Sequence, residues 1–278
     1  MRGGLKANRM ESTLLKRWIT GVILAAAVLI IILFFSINAL AAVIILVSVG
    51  GIWEYNNIVF GKGNYKEKIE GFIFAFVIPL IFLIGDADAV IMALSLSVMI
   101  VFILFLWKIS EKKFDIINVI KVIFGIIYIP FLVSHFILLR KIPDGELWII
   151  FVLVLAFIGD TAALYVGKYF GKRKLIPLVS PGKTVEGTIA LVIGSVAGCL
   201  IFKLLFLPQI PLFHVVIISF FGSIIGQLGD LFESAIKRNY GQKDAGFLLP
   251  GHGGVLDRLD CLLLIAPFVY YYLTIVIR

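Results

Sequence analysis

The stretch Gly226 to Asp260 reads GQLGDLFESAIKRNYGQKDAGFLLPGHGGVLDRLD and carries acids, bases and glycines at spacings that can hold an anion and a metal ion together. On a helix, Asp230, Ser234 and Lys237 follow i, i+4, i+7 spacing with Glu233 close by, which puts a carboxylate, a hydroxyl and an ammonium on one face. Downstream, Pro250, Gly251, Gly253 and Gly254 surround His252, and glycines there let backbone amides approach an anion closely. Asp257 and Asp260 fall at i, i+3 where an apolar run begins, with Arg258 between them. Two carboxylates on one helical face make a site for a hard cation, and Arg258 can reach a phosphate or pair with an acid.

Two other segments carry similar chemistry. GDTAALYVGKYFGKRK, Gly159 to Lys174, places Asp160 inside an apolar run, thins the helix at Gly167 and Gly171, and ends in a basic cluster. In SPGKTVEG, Ser180 to Gly187, Pro and Gly predict a turn, Lys183 supplies a cation, and Thr184 can donate to phosphate. Glu186 follows near the start of the next run, where a helix N-terminus adds amide donors. The Walker pattern GxxxxGK[ST] is absent. Each segment also has a plainer reading, the first as a packed helix with basic flanks and the second as a capped loop. The available ligands are hard oxygens, and Cys199 and Cys261 lie outside these segments as buried thiols, so the set suits Mg²⁺ rather than zinc. No Ser–His–Asp arrangement is readable, and a covalent nucleophile is not needed if the acceptor carries its own phosphate.

The elements that position these residues are membrane helices. Of the 278 residues 61% are hydrophobic and 15% charged, which excludes a water-soluble globular domain, a disordered chain and a disulfide scaffold. The net charge of +8 suggests nucleic-acid binding only until the basic residues are located, because they flank apolar runs. A hydrocarbon core about 30 Å thick needs about 20 apolar residues per helix. Nine runs meet that need, near 18–36, 38–56, 70–85, 88–107, 118–139, 147–169, 185–206, 211–236 and 257–277, so the expected fold is all-α and polytopic. With nine spans, all but Arg140, Lys141, Lys203 and Arg278 among the 25 Lys and Arg residues fall on the side of the N-terminus, which predicts a cytoplasmic N-terminus.

Residues 1–17 read as a cytoplasmic segment, with 1–9 either a native leader or an addition and Met10 an alternative start. Residues 18–139 read as a scaffold of five spans and 140–278 as a catalytic region of four, within one continuous membrane domain. Pro79 and Pro130 predict kinks, and Trp18, Trp53, Trp107 and Trp148 an aromatic belt at the interfaces. His135 and His214 read as structural, and Glu54 and Arg17 as interface anchors. The carboxylates Asp160, Glu186, Asp230, Glu233, Asp257 and Asp260 fall in or beside spans, where a charge is costly unless it serves a partner or an ion.

The chain closely resembles the phosphatidate cytidylyltransferase (CDP-diacylglycerol synthase) family. The resemblance rests on Ser234, Lys237, Arg238, Lys243, Asp244, Pro250, Gly251, His252, Gly253, Gly254, Asp257, Arg258 and Asp260, together with SPGKTVEG and GDLFES. One departure is Leu164, where members often carry Tyr; Tyr165 is adjacent. The resemblance implies transfer of CMP from CTP to phosphatidic acid in the bilayer. It implies Asp230 and Asp257 as Mg²⁺ ligands, with Asp260 and Asp160 as further acids, and Asp244 and His252 in the catalytic set. Lys183, Lys237, Arg238, Lys243 and Arg258 would hold phosphates, and Ser180, Thr184, Ser234 and His252 would orient them, beside Glu186, Gly253 and Gly254. It further implies K⁺ as a second cation, a homodimer, no nucleic-acid partner, and an inner-membrane location with the site facing the cytoplasm. The competing readings are a CTP-dependent cytidylyltransferase or kinase acting on an isoprenoid lipid, and an ion-coupled transporter. A CDP-alcohol phosphotransferase is disfavoured because its DGxxAR core is absent.

Overall fold

A bilayer offers no water to bare peptide groups, so long apolar runs satisfy their backbone internally as helices. The computed structural model describes residues 26–110, 115–248 and 253–277. Residues 26–34 are helical and the helix is interrupted at 35–36. There follow α1 (Ile37–Phe60), α2 (Tyr65–Ile84) and α3 (Ala87–Ser110). A long bent span comes next, made of α4 (Ile116–Ile126), a π-helical turn (Ile127–Phe131) and α5 (His135–Lys141). Then come α6 (Gly145–Phe170), a hairpin of β1 (Lys174–Ile176) and β2 (Ser180–Thr184), α7 (Val185–Phe206) and α8 (Leu212–Asn239). The last span is built from α9 (Leu256–Leu259), α10 (Leu262–Tyr272) and a π-helical end (Leu273–Ile277).

Among the described residues seven helical segments are long and apolar enough to cross a membrane, and the chain is an all-α, polytopic integral membrane protein. α2 is an eighth helix whose first turns are charged with Lys66, Glu67, Lys68 and Glu70. Residues 18–25 of the expected span at 18–36 lie outside the described residues, as do residues 1–17 with Arg17, and Trp18.

Three expectations change. SPGKT is not a turn: Ser180–Thr184 pairs antiparallel with β1, and the turn precedes it. Register runs from Lys174↔Thr184 to Ile176↔Ser180 with a shift between, because Pro181 has no N–H to offer a ladder. Trp148 is no interface residue but core, 3% exposed and packed edge-on to Phe151, whereas Trp53 and Trp107 are exposed. Glu54 is wholly buried rather than an interface anchor. Of the two prolines, Pro79 sits inside an unbroken helix, while Pro130 lies in the π-turn, where the missing N–H widens the ladder. Ser134 Oγ returns a hydrogen bond to Pro130 O at 2.5 Å. His135 is buried beside the carbonyls of Phe131 and Leu132, and His214 Nδ1 meets Tyr272 OH at 3.0 Å, both structural placements.

Small residues allow the close packing that sets the site. Ser195 Oγ on α7 donates to the Leu155 carbonyl of α6 at 2.7 Å. On α8, a Cβ at Gly226 would press on Ile265, so this face approaches the last span closely.

Candidate active site

Three elements bring charged groups to one end of the bundle: the β1–β2 hairpin, the last turns of α8 and the start of the last span. Lys183, on β2, reaches α8, where its Nζ lies 2.6 Å from Asp230 Oδ2. Ser234 Oγ, one turn on, donates to Asp230 Oδ1 at 3.4 Å. Asp160 of α6 and Asp260 of the last span lie within electrostatic range of Asp230 and of each other, and the Lys183 ammonium offsets their mutual repulsion. Asp160 also borders a cleft lined by Leu155, Ser195, Ser223, Gln227 and Cys261.

A second group adjoins the first. Lys237 Nζ sits between Glu233 Oε2 at 2.5 Å and Asp257 Oδ1 at 2.6 Å. Asp257 also accepts the backbone amides of Ala245 at 3.1 Å and Gly254 at 2.8 Å. Glu233 is 1% exposed and lies in electrostatic range of both Asp257 and Asp260, which joins the two groups. Removing charges from water costs more than their attraction returns unless they are well paired, so this much buried charge points to use rather than to stability.

Asp257 and Asp260 keep helical backbone angles across the end of α9 but spend their carboxylates on different partners. α9 is a single turn ending at Leu259, and Asp257 faces Lys237 and loop amides. Asp260 Oδ1 instead accepts Cys261 N at 2.8 Å. Among the described residues no three His, Cys, Asp or Glu side chains converge as a metal cluster, so Asp230, Asp257 and Asp260 are not brought to one point.

The other sequence-derived residues fall around this centre. Thr184 is buried, and its oxygen caps α7 by accepting Gly187 N at 3.1 Å. Glu186 accepts the amides of Lys172 at 3.1 Å and Arg173 at 3.2 Å, which ties the end of α6 to the start of α7. Ser180 opens β2 opposite Ile176. Arg238 points away from Asp257, to Val179 O at 3.2 Å and Gln242 O at 3.0 Å, and so joins the hairpin to the end of α8. Lys243, Asp244 and Arg258 are exposed at the rim. Gly253 adopts φ +82°, a left-handed conformation open to glycine, and Gly254 is buried beside Asp257. His252, Pro250 and Gly251 lie outside the described residues.

Three residues gain a place that their sequence context did not announce. Tyr128, on the π-turn, is 3% exposed, and its hydroxyl lacks a hydrogen-bond partner among the described residues while lying in electrostatic range of Glu233, Asp260 and Asp230. Gln227 Nε2 is likewise buried without a partner, beside the cleft. Glu54 of α1 accepts Val255 N at 3.0 Å and Leu256 N at 2.8 Å. The signal in each case is a polar residue inside an apolar run, and for Tyr128 also a proline two residues on.

The site is therefore a set of lysine–carboxylate pairs with further acids and loop amides, suited to holding phosphates and a hard cation. Residues 15–276 match the Cytidylyltransferase family. A phosphatidate cytidylyltransferase of Bacillus subtilis is 37% identical over 207 residues, covering 73% of this chain and 76% of its own length. One from Staphylococcus saprophyticus is 35% identical over 205 residues, covering 73% of this chain and 78% of its own. A third, from Staphylococcus epidermidis, is 31% identical over the same shares. Because the match runs through nearly all of the described helices and the paired lysines and carboxylates lie within it, the chain belongs to the cytidylyltransferase family.

Proposed function

We propose that this protein is a CTP:phosphatidate cytidylyltransferase of the cell's inner membrane, with its site on the cytoplasmic face. The observation that carries the reading is the pair of lysines, Lys183 and Lys237, each held by a carboxylate at the same end of a membrane bundle. The named relatives above act on phosphatidate, and the bias of Lys and Arg toward the N-terminal side supports the cytoplasmic placement. A lipid acceptor with two acyl chains explains a site built in helices, and the water-soluble nucleotide explains its position at their ends.

In this reaction a phosphate oxygen of phosphatidic acid forms a bond to the α-phosphorus of CTP, the bond from that phosphorus to the bridging oxygen breaks, and pyrophosphate leaves with the electron pair. The products are CDP-diacylglycerol and pyrophosphate. The attacking group is already an anion, so the chain's task is to bring two anions together and to neutralise the charge on the leaving pyrophosphate. Lys183 and Lys237 are the ammonium groups aimed into the site, and Arg258, Arg238 and Lys243 add positive charge at its rim. Ser234 and Ser180 orient phosphate oxygens, and the amides of Gly253 and Gly254 add donors.

The donor set fits a hard divalent ion, because Asp160, Asp230 and Asp260 offer oxygen alone and face one another's charge. Asp230 and Asp260 are the residues we assign to Mg²⁺, with Asp160 beside them, Asp257 committed to Lys237 and the loop amides, and K⁺ as a second cation. When bound, Mg²⁺ supplies Lewis acidity toward the phosphate oxygens. A homodimer completes this reading.

Incubating the purified protein with labelled CTP, phosphatidic acid and Mg²⁺ tests it. Lipid-linked CMP and free pyrophosphate are expected, with loss of turnover in chelator. A γ-phosphate on the lipid, or no turnover at all, would overturn the reading.

A further inference from the structure

Glu54 lies in the half of the chain that the sequence presents as scaffold, yet its carboxylate ends inside the loop that holds Asp257. It is 0% exposed, and its two oxygens accept Val255 N at 3.0 Å and Leu256 N at 2.8 Å. These amides open the last span, where a helix N-terminus favours an anion. A Cβ on Gly246 would lie 2.5 Å from Glu54 Oε1, and one on Gly254 would lie 2.6 Å from Oε2, so the carboxylate fills the space on two arms of the loop. Gly50, one turn before Glu54 on α1, lies against Val255 and Leu248 and completes the seat.

Asp257 grips the same loop from the other side, at Ala245 N and Gly254 N. The two carboxylates divide the loop amides: Asp257 takes Ala245 and Gly254, and Glu54 takes the next two, Val255 and Leu256. Asp257 can meet Lys237 only while this loop keeps its shape. Nothing about Glu54 touches the pocket of Asp160 and Asp230, so its influence passes through Asp257.

We infer that Glu54 is a positioning residue for nucleotide transfer, which fixes Asp257 against Lys237 by holding the amides of the loop. The inference rests on the cytidylyltransferase reading for its kinetic consequence and on hydrogen-bond geometry for its structural one. Glu54→Gln keeps size but presents an NH₂ to one of the amide donors, so a hydrogen bond becomes a donor–donor contact.

The experiment pairs kinetics with amide hydrogen exchange on purified protein in detergent. In Glu54→Gln the amides of Ala245 and of residues 254–256 should exchange faster by roughly tenfold or more, while the spans keep wild-type protection. The kcat/KM for CTP should fall by roughly tenfold or more, with the KM for phosphatidic acid within about twofold of wild type. Glu54→Asp, which keeps the charge one methylene short, should recover part of the loss. Gly246→Ala attacks the contact from the loop and leaves the bundle intact, so it should reproduce the Gln phenotype even if that variant folds poorly. Wild-type exchange and kinetics in both Glu54→Gln and Gly246→Ala would overturn the inference, as would faster exchange spread evenly through the bundle. Loss of protection at these amides in a protein whose wild type makes no CDP-diacylglycerol would instead overturn the reading of function and leave the hold of Glu54 on the loop standing.

Discussion

Lys183 on the hairpin and Asp230 on α8 form a 2.6 Å charge pair that neither element sets alone, since the hairpin supplies the lysine and the helix supplies the acid. Asp160 and Asp260 stand close enough that the Lys183 ammonium lowers the cost of all three carboxylates. Lys183→Ala removes the cation and leaves the acids to repel both one another and the triphosphate. The KM for CTP should rise by roughly tenfold or more, the worth of one charge-assisted hydrogen bond. Steady-state kinetics at saturating lipid measures it, and an unchanged KM would take Lys183 out of the site.

Asp257 holds Lys237 and two loop amides with one carboxylate. Asp257→Asn keeps an oxygen for an amide but loses the charge that pairs with Lys237. Turnover should drop by roughly 100-fold or more, while size-exclusion and circular dichroism profiles stay as in wild type. Activity near the wild-type level would exclude Asp257 from the chemistry.

Gly229 sits where α8 crosses the last span, and a Cβ there would meet the Asp260 carbonyl oxygen at 2.5 Å and Cys261 Cα at 3.4 Å. Those atoms are backbone and cannot swing aside. Gly229→Ala should therefore part the helices beside Asp230 and cost about 1–3 kcal/mol. A lowered melting temperature with lost turnover is the expected pair of results, and a variant as stable and active as wild type would show that the helices slide freely at this contact.

Among the described residues Tyr128 OH has no hydrogen-bond partner to lose. Its ring stacks on Phe124 and meets Phe232 edge-on, contacts a phenylalanine keeps. Tyr128→Phe should hold stability within about 1 kcal/mol of wild type or raise it, because the hydroxyl is buried unpaired. Thermal unfolding in detergent checks this, and a large destabilisation would mean that the hydroxyl is bonded in the folded protein.

The chain's own order of residues determined that it is a helical membrane protein, because runs such as 185–206 and 211–236 are apolar throughout and leave the backbone no other way to be satisfied. It also determined which segments carry chemistry, because Asp160, Asp230 and Asp260 are too costly in such runs to be ornamental. The tertiary structure alone decided who meets whom. The i, i+3 spacing of Asp257 and Asp260 gives no hint that one carboxylate goes to Lys237 and the loop amides and the other to Cys261 N. The Pro-Gly pair reads as a turn, but the hairpin places it within β2, the strand that carries Lys183 to Asp230. Glu54 and Tyr128 sit in segments with no motif, and only helix packing carries them to the loop and the acids from distant parts of the chain. Local pattern registers propensity and spacing along one element, whereas a site made at the junction of α1, the π-turn, the hairpin, α8 and the last span depends on angles and close approaches between elements, which no single stretch encodes.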